Sequence, residues 1–120
     1  MDDLTTILVV DDEEVVRTAI ARVLAYSGYR VLTAADGEQG IELYREAREE
    51  IDVLLVDHSL TAMSGAELIE RLRGEGAQQP MLLMSGGAVS PRPESISLIK
   101  KPFDSETLLQ ALRDVIDDVR

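Results

Sequence analysis

The chain has 120 residues and a formal net charge of -11, from 12 Lys and Arg against 23 Asp and Glu. That length favours a single domain, residues 1–120, able to bury a core without covalent staples. So acidic a surface repels phosphate backbones, and direct nucleic-acid binding is not expected. The absence of cysteine excludes a disulfide framework and thiolate metal sites. No apolar run approaches the roughly 18 residues of a membrane span, and the opening MDDLTT is too acidic and polar for a signal peptide. A cytoplasmic protein without a membrane partner is the expectation.

The chain opens with an apolar quartet at residues 7–10 (ILVV), closed by Asp11 and Asp12. Continuous quartets of this kind fit strands buried on both faces, as in a parallel sheet. Val15, Val16, Ala19, Ile20, Val23 and Leu24 then repeat at helical spacing up to Gly28, a good C-terminal stop. A second strand is read at residues 29–34 (YRVLTA). Asp36 is placed to cap a helix carrying Gly40, Ile41, Leu43, Tyr44 and Ala47. The third strand, residues 53–56 (VLLV), ends in Asp57. Ser64 and Glu67 have capping-box spacing ahead of Leu68, Ile69 and Leu72. The fourth strand, residues 81–84 (MLLM), ends in Ser85.

Two prolines and two glycines then fall within residues 86–94 (GGAVSPRPE), so residues 86–95 are predicted to form a loop or a single turn. A weaker strand at residues 96–99 leads to Lys100 and Lys101. The last helix has Asp104 as its cap, Phe103 and Leu108 placed as a hydrophobic staple, and an apolar face through Leu109, Leu112, Val115 and Ile116. Tyr26, Tyr29 and Tyr44 read as packed or half-exposed rings.

Strands and helices alternating in this way imply a parallel sheet with helices on both faces. The fold class is α/β: a flavodoxin-like, doubly wound, five-stranded parallel sheet in the order 2-1-3-4-5. The fourth helix, between the fourth and fifth strands, is expected to be shortened or missing. Ligands in such sheets bind outside the carboxyl ends of the strands. Four of the five strands end in polar or charged residues, and the order sets those four side by side. Asp57 then lies one strand, about 4.8 Å, from Asp11 and Asp12 and one strand from Ser85, with Lys101 reaching in from the far side.

Three carboxylates so close repel one another unless a pKa rises or a cation neutralises them. A hard divalent ion, Mg2+, suits such oxygen donors when a phosphate supplies further ligands. Lys101 would neutralise a phosphoryl oxygen and Ser85 would donate to one. Singly, each residue has a plainer reading as a helix cap, a turn residue or a solvated charge; the four strand ends together do not.

The segments ILVVDDEE, DHSLTAMSG, LLMSG and KPF, spread over essentially the whole chain, resemble the receiver domains of two-component signalling. The wording of LLMSG and KPF most resembles receivers attached to hybrid histidine kinases. The resemblance implies that Asp57 is a phosphoacceptor, served by a histidine kinase or a histidine phosphotransfer protein. It implies that Asp12, Asp57 and the Ser59 backbone carbonyl bind Mg2+ directly, with Asp11 acting mainly through water. It assigns Ser85 and Lys101 to the phosphoryl group and a cis bond to Lys101–Pro102. The output would be a downstream effector or a covalently linked domain, the chain being either a stand-alone receiver or one cut from a larger protein.

Departures from the family pattern are equally specific. The usual proline four residues after the acceptor is Thr61, and the usual aromatic switch residue three positions before the family's Lys is Leu98. Only 16 positions separate Ser85 from Lys101, about six fewer than is common, which at ~3.6 residues per turn removes most of a helix. Ser59 and Gly87, positions that tune dephosphorylation in the family, are both small. The sole histidine, His58, should point away from the pocket because successive strand residues face opposite sides.

Three other functions compete. A pseudo-receiver would be an interaction module independent of phosphorylation. A haloacid dehalogenase-type phosphatase would need a second Asp where Ser59 stands. A flavin module would place a phosphate against Asp11, Asp12, Glu13 and Glu14, which repel it.

Overall fold

In the computed structural model, which describes residues 4–118, five strands and four helices follow one another, alternating except between the last two strands: β1 (Thr6–Val10), α1 (Glu14–Tyr26), β2 (Arg30–Ala34), α2 (Gly37–Ala47), β3 (Val53–Asp57), α3 (Gly65–Gly74), β4 (Met81–Ser85), β5 (Ser97–Lys100) and α4 (Ser105–Asp117). The strands form one parallel sheet in the order β2-β1-β3-β4-β5. This is the predicted flavodoxin-like arrangement. Residues 1–3 of the acidic opening segment, and with them part of the expected 1–120 domain, lie outside the described residues, as do residues 119–120.

The period-2 alternation of strand side chains divides the core into two layers. Leu8, Val10, Leu54, Val56 and Leu83 pack with Ile41 and Tyr44 of α2 and with Leu68, Ile69 and Leu72 of α3. Ile7, Val9, Val53, Leu55, Leu82 and Met84 pack on the other side with Ile20 and Leu24 of α1 and with Leu108, Leu112, Val115 and Ile116 of α4. Both faces of β1, β3 and β4 are therefore dry, which explains their unbroken apolar sequences.

The helix ends follow the sequence signals. Asp36 and Asp104 accept from the backbone N–H groups of Gln39 and Thr107, and Ser64 and Glu67 form the reciprocal capping box. After α1, Gly28 takes a left-handed φ of 97°. There Tyr29 N–H donates to the Leu24 carbonyl and Gly28 N–H to that of Ala25, a Schellman stop. Two expectations need correction. Strand β5 runs one residue later than predicted, and Tyr26, at 96% exposure, is neither packed nor half-exposed because it ends α1 on the solvent side. Tyr44 is buried, with its hydroxyl donating to Gln79.

No helix links β4 to β5 among the described residues. Residues 86–96 instead form an irregular surface segment of bends and a turn, fastened by side chains. Arg73 of α3 donates to the carbonyls of Glu94 and Ser95, and Arg92 donates to that of Ile96 at 2.8 Å. Val89 packs against the core, and Pro93 and Ile96 are buried. Among the described residues two peptide bonds are cis: Lys101–Pro102, as the family resemblance implies, and Ser90–Pro91, which the sequence did not indicate.

Candidate phosphoacceptor site

Sheet register brings the predicted residues together. Val10 pairs with Val56, so Asp11 and Asp57 leave adjacent strands at the same level. Asp57 pairs with Met84, and Lys101 N–H donates to the Ser85 carbonyl at 2.9 Å, carrying the β4–β5 pairing one residue further. One carboxylate oxygen from each of Asp11, Asp12 and Asp57 lies within 4.8 Å of the others. Lys101 Nζ sits 2.8 Å from Asp57 Oδ1.

This polar cluster is largely withdrawn from solvent. Asp11 is fully buried and Asp57 is 2% exposed. Asp11 Oδ1 accepts from Glu13 N–H, while its Oδ2 is buried with no hydrogen-bond partner. Arg17 holds the Asp11 carbonyl at 2.9 Å. Burial pushes the Asp11 carboxyl above its usual range; the Glu13 N–H opposes this, and the charge on Asp57 adds to it. Burial works against the Lys101 ammonium. Its bond to Asp57 and the charges of Asp57, Asp11 and Glu13 outweigh that, so its pKa stands above the ordinary lysine value.

The pocket depends on a close helix–strand approach. A Cβ at Gly65 would lie 2.4 Å from the Asp57 carbonyl oxygen and 2.8 Å from the His58 Cα. Only glycine lets α3 start directly against the end of β3. The intervening loop carries Ser59, which is exposed, and Thr61, whose hydroxyl donates to Asp12 Oδ2 at 2.7 Å. Ser85 Oγ donates to the Gly87 carbonyl at 2.7 Å and accepts from Gly87 N–H at 3.2 Å. Its hydroxyl is thus engaged with the loop rather than with the acidic cluster. His58 shares the strand parity of Leu54 and Val56 and lines a groove with Ser64, Glu67, Pro91 and Pro93, away from the carboxylates.

Sequence reasoning missed the Thr61–Asp12 bond and the Arg17 contact. The fitting of Gly65 against β3 could have been read from its place between a strand end and a capping serine.

An unpartnered buried carboxylate oxygen among three acidic groups is what a hard cation would satisfy. The donor set therefore fits Mg2+, with Asp11, Asp12 and Asp57 able to hold it.

The model of the response regulator receiver domain matches residues 7–113. The chain is 34% identical to a probable transcriptional regulatory protein, TcrX, and 33% identical to the response regulator MprA, both of Mycobacterium tuberculosis. These matches cover 92% of this chain but only 49% and 50% of those proteins, so the chain spans about half the length of these relatives. Among solved structures it is similar to the chemotaxis protein CheY4 of Vibrio cholerae, with a TM-score of 0.85, 28% identity and coverage of 93% and 98% of the two chains. It is likewise similar to the receiver domain of the hybrid histidine kinase CckA, with a TM-score of 0.83, 32% identity and coverage of 92% and 98%. The chain belongs to the response regulator receiver domain family. Its acidic pocket of Asp11, Asp12 and Asp57, with Lys101, is the arrangement that suits aspartate phosphorylation, and membership implies a cognate histidine kinase. No helix among the described residues is long and apolar enough to cross a membrane.

Proposed function

We propose that the domain, taken as residues 1–120, accepts a phosphoryl group on Asp57 from a histidine kinase or a histidine phosphotransfer protein and passes the signal on by a change in the 86–96 segment. One observation carries this reading: a buried carboxylate ion-paired with Lys101 at 2.8 Å stands within 4.8 Å of two further carboxylates. In the transfer, one Asp57 oxygen attacks phosphorus, the bond to the imidazole nitrogen breaks with its electron pair staying on that nitrogen, and the imidazole, already protonated on its other nitrogen, leaves neutral. Lys101 stays beside the transferred oxygens and neutralises charge there. Asp12, Asp57 and the Ser59 carbonyl would hold Mg2+ directly, with Asp11 acting mainly through water, and the ion would offset the repulsion between the pocket and an incoming phosphoryl group.

An apolar groove beside the pocket, lined by Val15, Val16, Ile20, Phe103 and Leu108, favours a helical partner. Val15 is 83% exposed there. Within the resemblance to hybrid kinases, the LLMSG and KPF wording and the likeness to the CckA receiver support a receiver linked to a kinase. The half-length match to TcrX and MprA supports instead a receiver joined to an effector domain.

For readout, Ser85 is the coupling residue. Drawn to a phosphoryl oxygen, its hydroxyl leaves the Gly87 carbonyl and frees the start of the segment. Leu98, 38% exposed and without an aromatic ring, supplies no equivalent of the family's rotating side chain.

Incubation with Mg2+ and a small phosphodonor, followed by intact mass, tests the acceptor. A single phosphoryl adduct that disappears in Asp57→Asn is expected. An adduct that persists in Asp57→Asn defeats the assignment, and no adduct from donor or kinase leaves the pseudo-receiver as the better reading.

A further inference from the structure

The loop between β3 and α3 holds Thr61 more firmly than a surface loop requires. Met63 N–H donates to the Thr61 carbonyl at 2.8 Å, closing a three-residue turn around Ala62. Ala62 has a φ of 72°, in the left-handed region that a residue with a Cβ seldom enters. Such a conformation persists only where its surroundings fix it. Here they do. The Met63 side chain packs against the core and fills the space over Gly37, where a Cβ would lie 2.7 Å from it. Ser64 is tied into the capping box of α3, and Gly65 N–H donates to the His58 carbonyl at 2.9 Å. Both ends of the turn are anchored, and the Thr61 hydroxyl is presented to Asp12 Oδ2 at 2.7 Å.

From this geometry we infer that Thr61 is a positioning residue for the cation site: its hydroxyl fixes the Asp12 carboxylate by one oxygen and leaves the other free to bind a cation. The inference rests on the phosphoacceptor reading above. Metal-binding carboxylates are held by outer hydrogen bonds of this kind, and loss of such a partner costs about 10–100-fold in metal affinity. The pocket's other two carboxylates are fixed by different means: Asp11 by Glu13 N–H and Asp57 by Lys101. Asp12, the least buried of the three, is the one that needs an external hold. A proline at position 61 would have no hydroxyl to offer, so the departure from the family pattern is where the hold comes from.

The test is a titration of the 15N-labelled protein with MgCl2 alone, followed by the amide resonances of residues 10–13 and 57–61. Thr61→Val, which keeps the branched shape and removes the hydroxyl, is expected to raise the Mg2+ Kd about tenfold. Thr61→Ser is expected to bind within about twofold of the wild type, and the spectra of both variants away from the pocket should match it. A Thr61→Val Kd equal to or tighter than the wild-type value overturns the inference, as does a Thr61→Ser variant as weak as Thr61→Val. Failure of the wild type itself to bind Mg2+ would overturn the phosphoacceptor reading as well, which separates the two claims.

Discussion

The carboxyl ends of β1 and β3 and the segment after β4 border the same pocket but are built differently. At the strand ends, every group is fixed by register, burial or a short polar contact, because transfer chemistry requires several charges within a few ångströms of one point. Beyond Ser85, residues 86–96 have no helix and few core contacts, and Arg73 and Arg92 hold them by backbone carbonyls. On the proposed reading, the contrast teaches that acceptor chemistry would constrain positions tightly, whereas readout would need only an element with two arrangements of similar free energy.

Glycine substitution should separate the two regions most sharply. Gly65→Ala forces a Cβ into the backbone of β3 and should cost about 2–4 kcal/mol, whereas Gly87→Ala meets open space and should stay within about 0.5 kcal/mol. Urea unfolding of both variants checks this; equal losses would break the contrast.

Asp11→Asn should act next most strongly. The wild-type carboxylate is buried, short of a partner and beside Asp57, so its pKa is raised. In its ionised form it destabilises the fold, a burden relieved only as pH falls through its folded-state pKa. The amide removes the charge at every pH. Without Mg2+, Asp11→Asn should be more stable than the wild type, the gap widening as pH rises through the Asp11 pKa, with weakened Mg2+ binding. A less stable variant at neutral pH would contradict the account of the pocket's electrostatics.

The smallest effect concerns the helix that supports the loop. The Ser64 capping bonds lower the Glu67 pKa below its ordinary 4.5. A depressed carboxylate pKa contributes stability above the unfolded value and loses it as pH falls through the folded one. In Tm measured against pH, the stability gap between the wild type and Glu67→Gln should therefore narrow on acidification below about pH 4.5. A gap independent of pH would remove the charge from the cap's role.

The legible parts of the molecule are those governed by local rules. Apolar quartets, Asp36, Asp104, and the Ser64–Glu67 pair each announce an element through period or cap chemistry, and topology then places Asp57 between its partners. The pocket's membership was readable for the same reason: a strand order plus polar strand ends fixes which residues meet. The Thr61–Asp12 bond was not, because it joins residues 49 positions apart through a turn whose left-handed Ala62 has no sequence signal. The Arg73 and Arg92 contacts escaped notice because arginine on a helix or loop ordinarily reads as solvated charge. Proline and glycine spacing predicted the absence of a helix after β4, but not what holds the segment in its place.

Amide exchange of residues 86–96, with and without a beryllofluoride phosphate mimic and Mg2+, tests the central claim most directly. We predict that the mimic changes exchange at residues 86–88, that Ser85→Ala abolishes the change, and that Leu98→Ala leaves it intact. Unaltered exchange across the segment, or a change that depends on Leu98 and not on Ser85, would contradict a readout that runs from the pocket through Ser85 and Gly87.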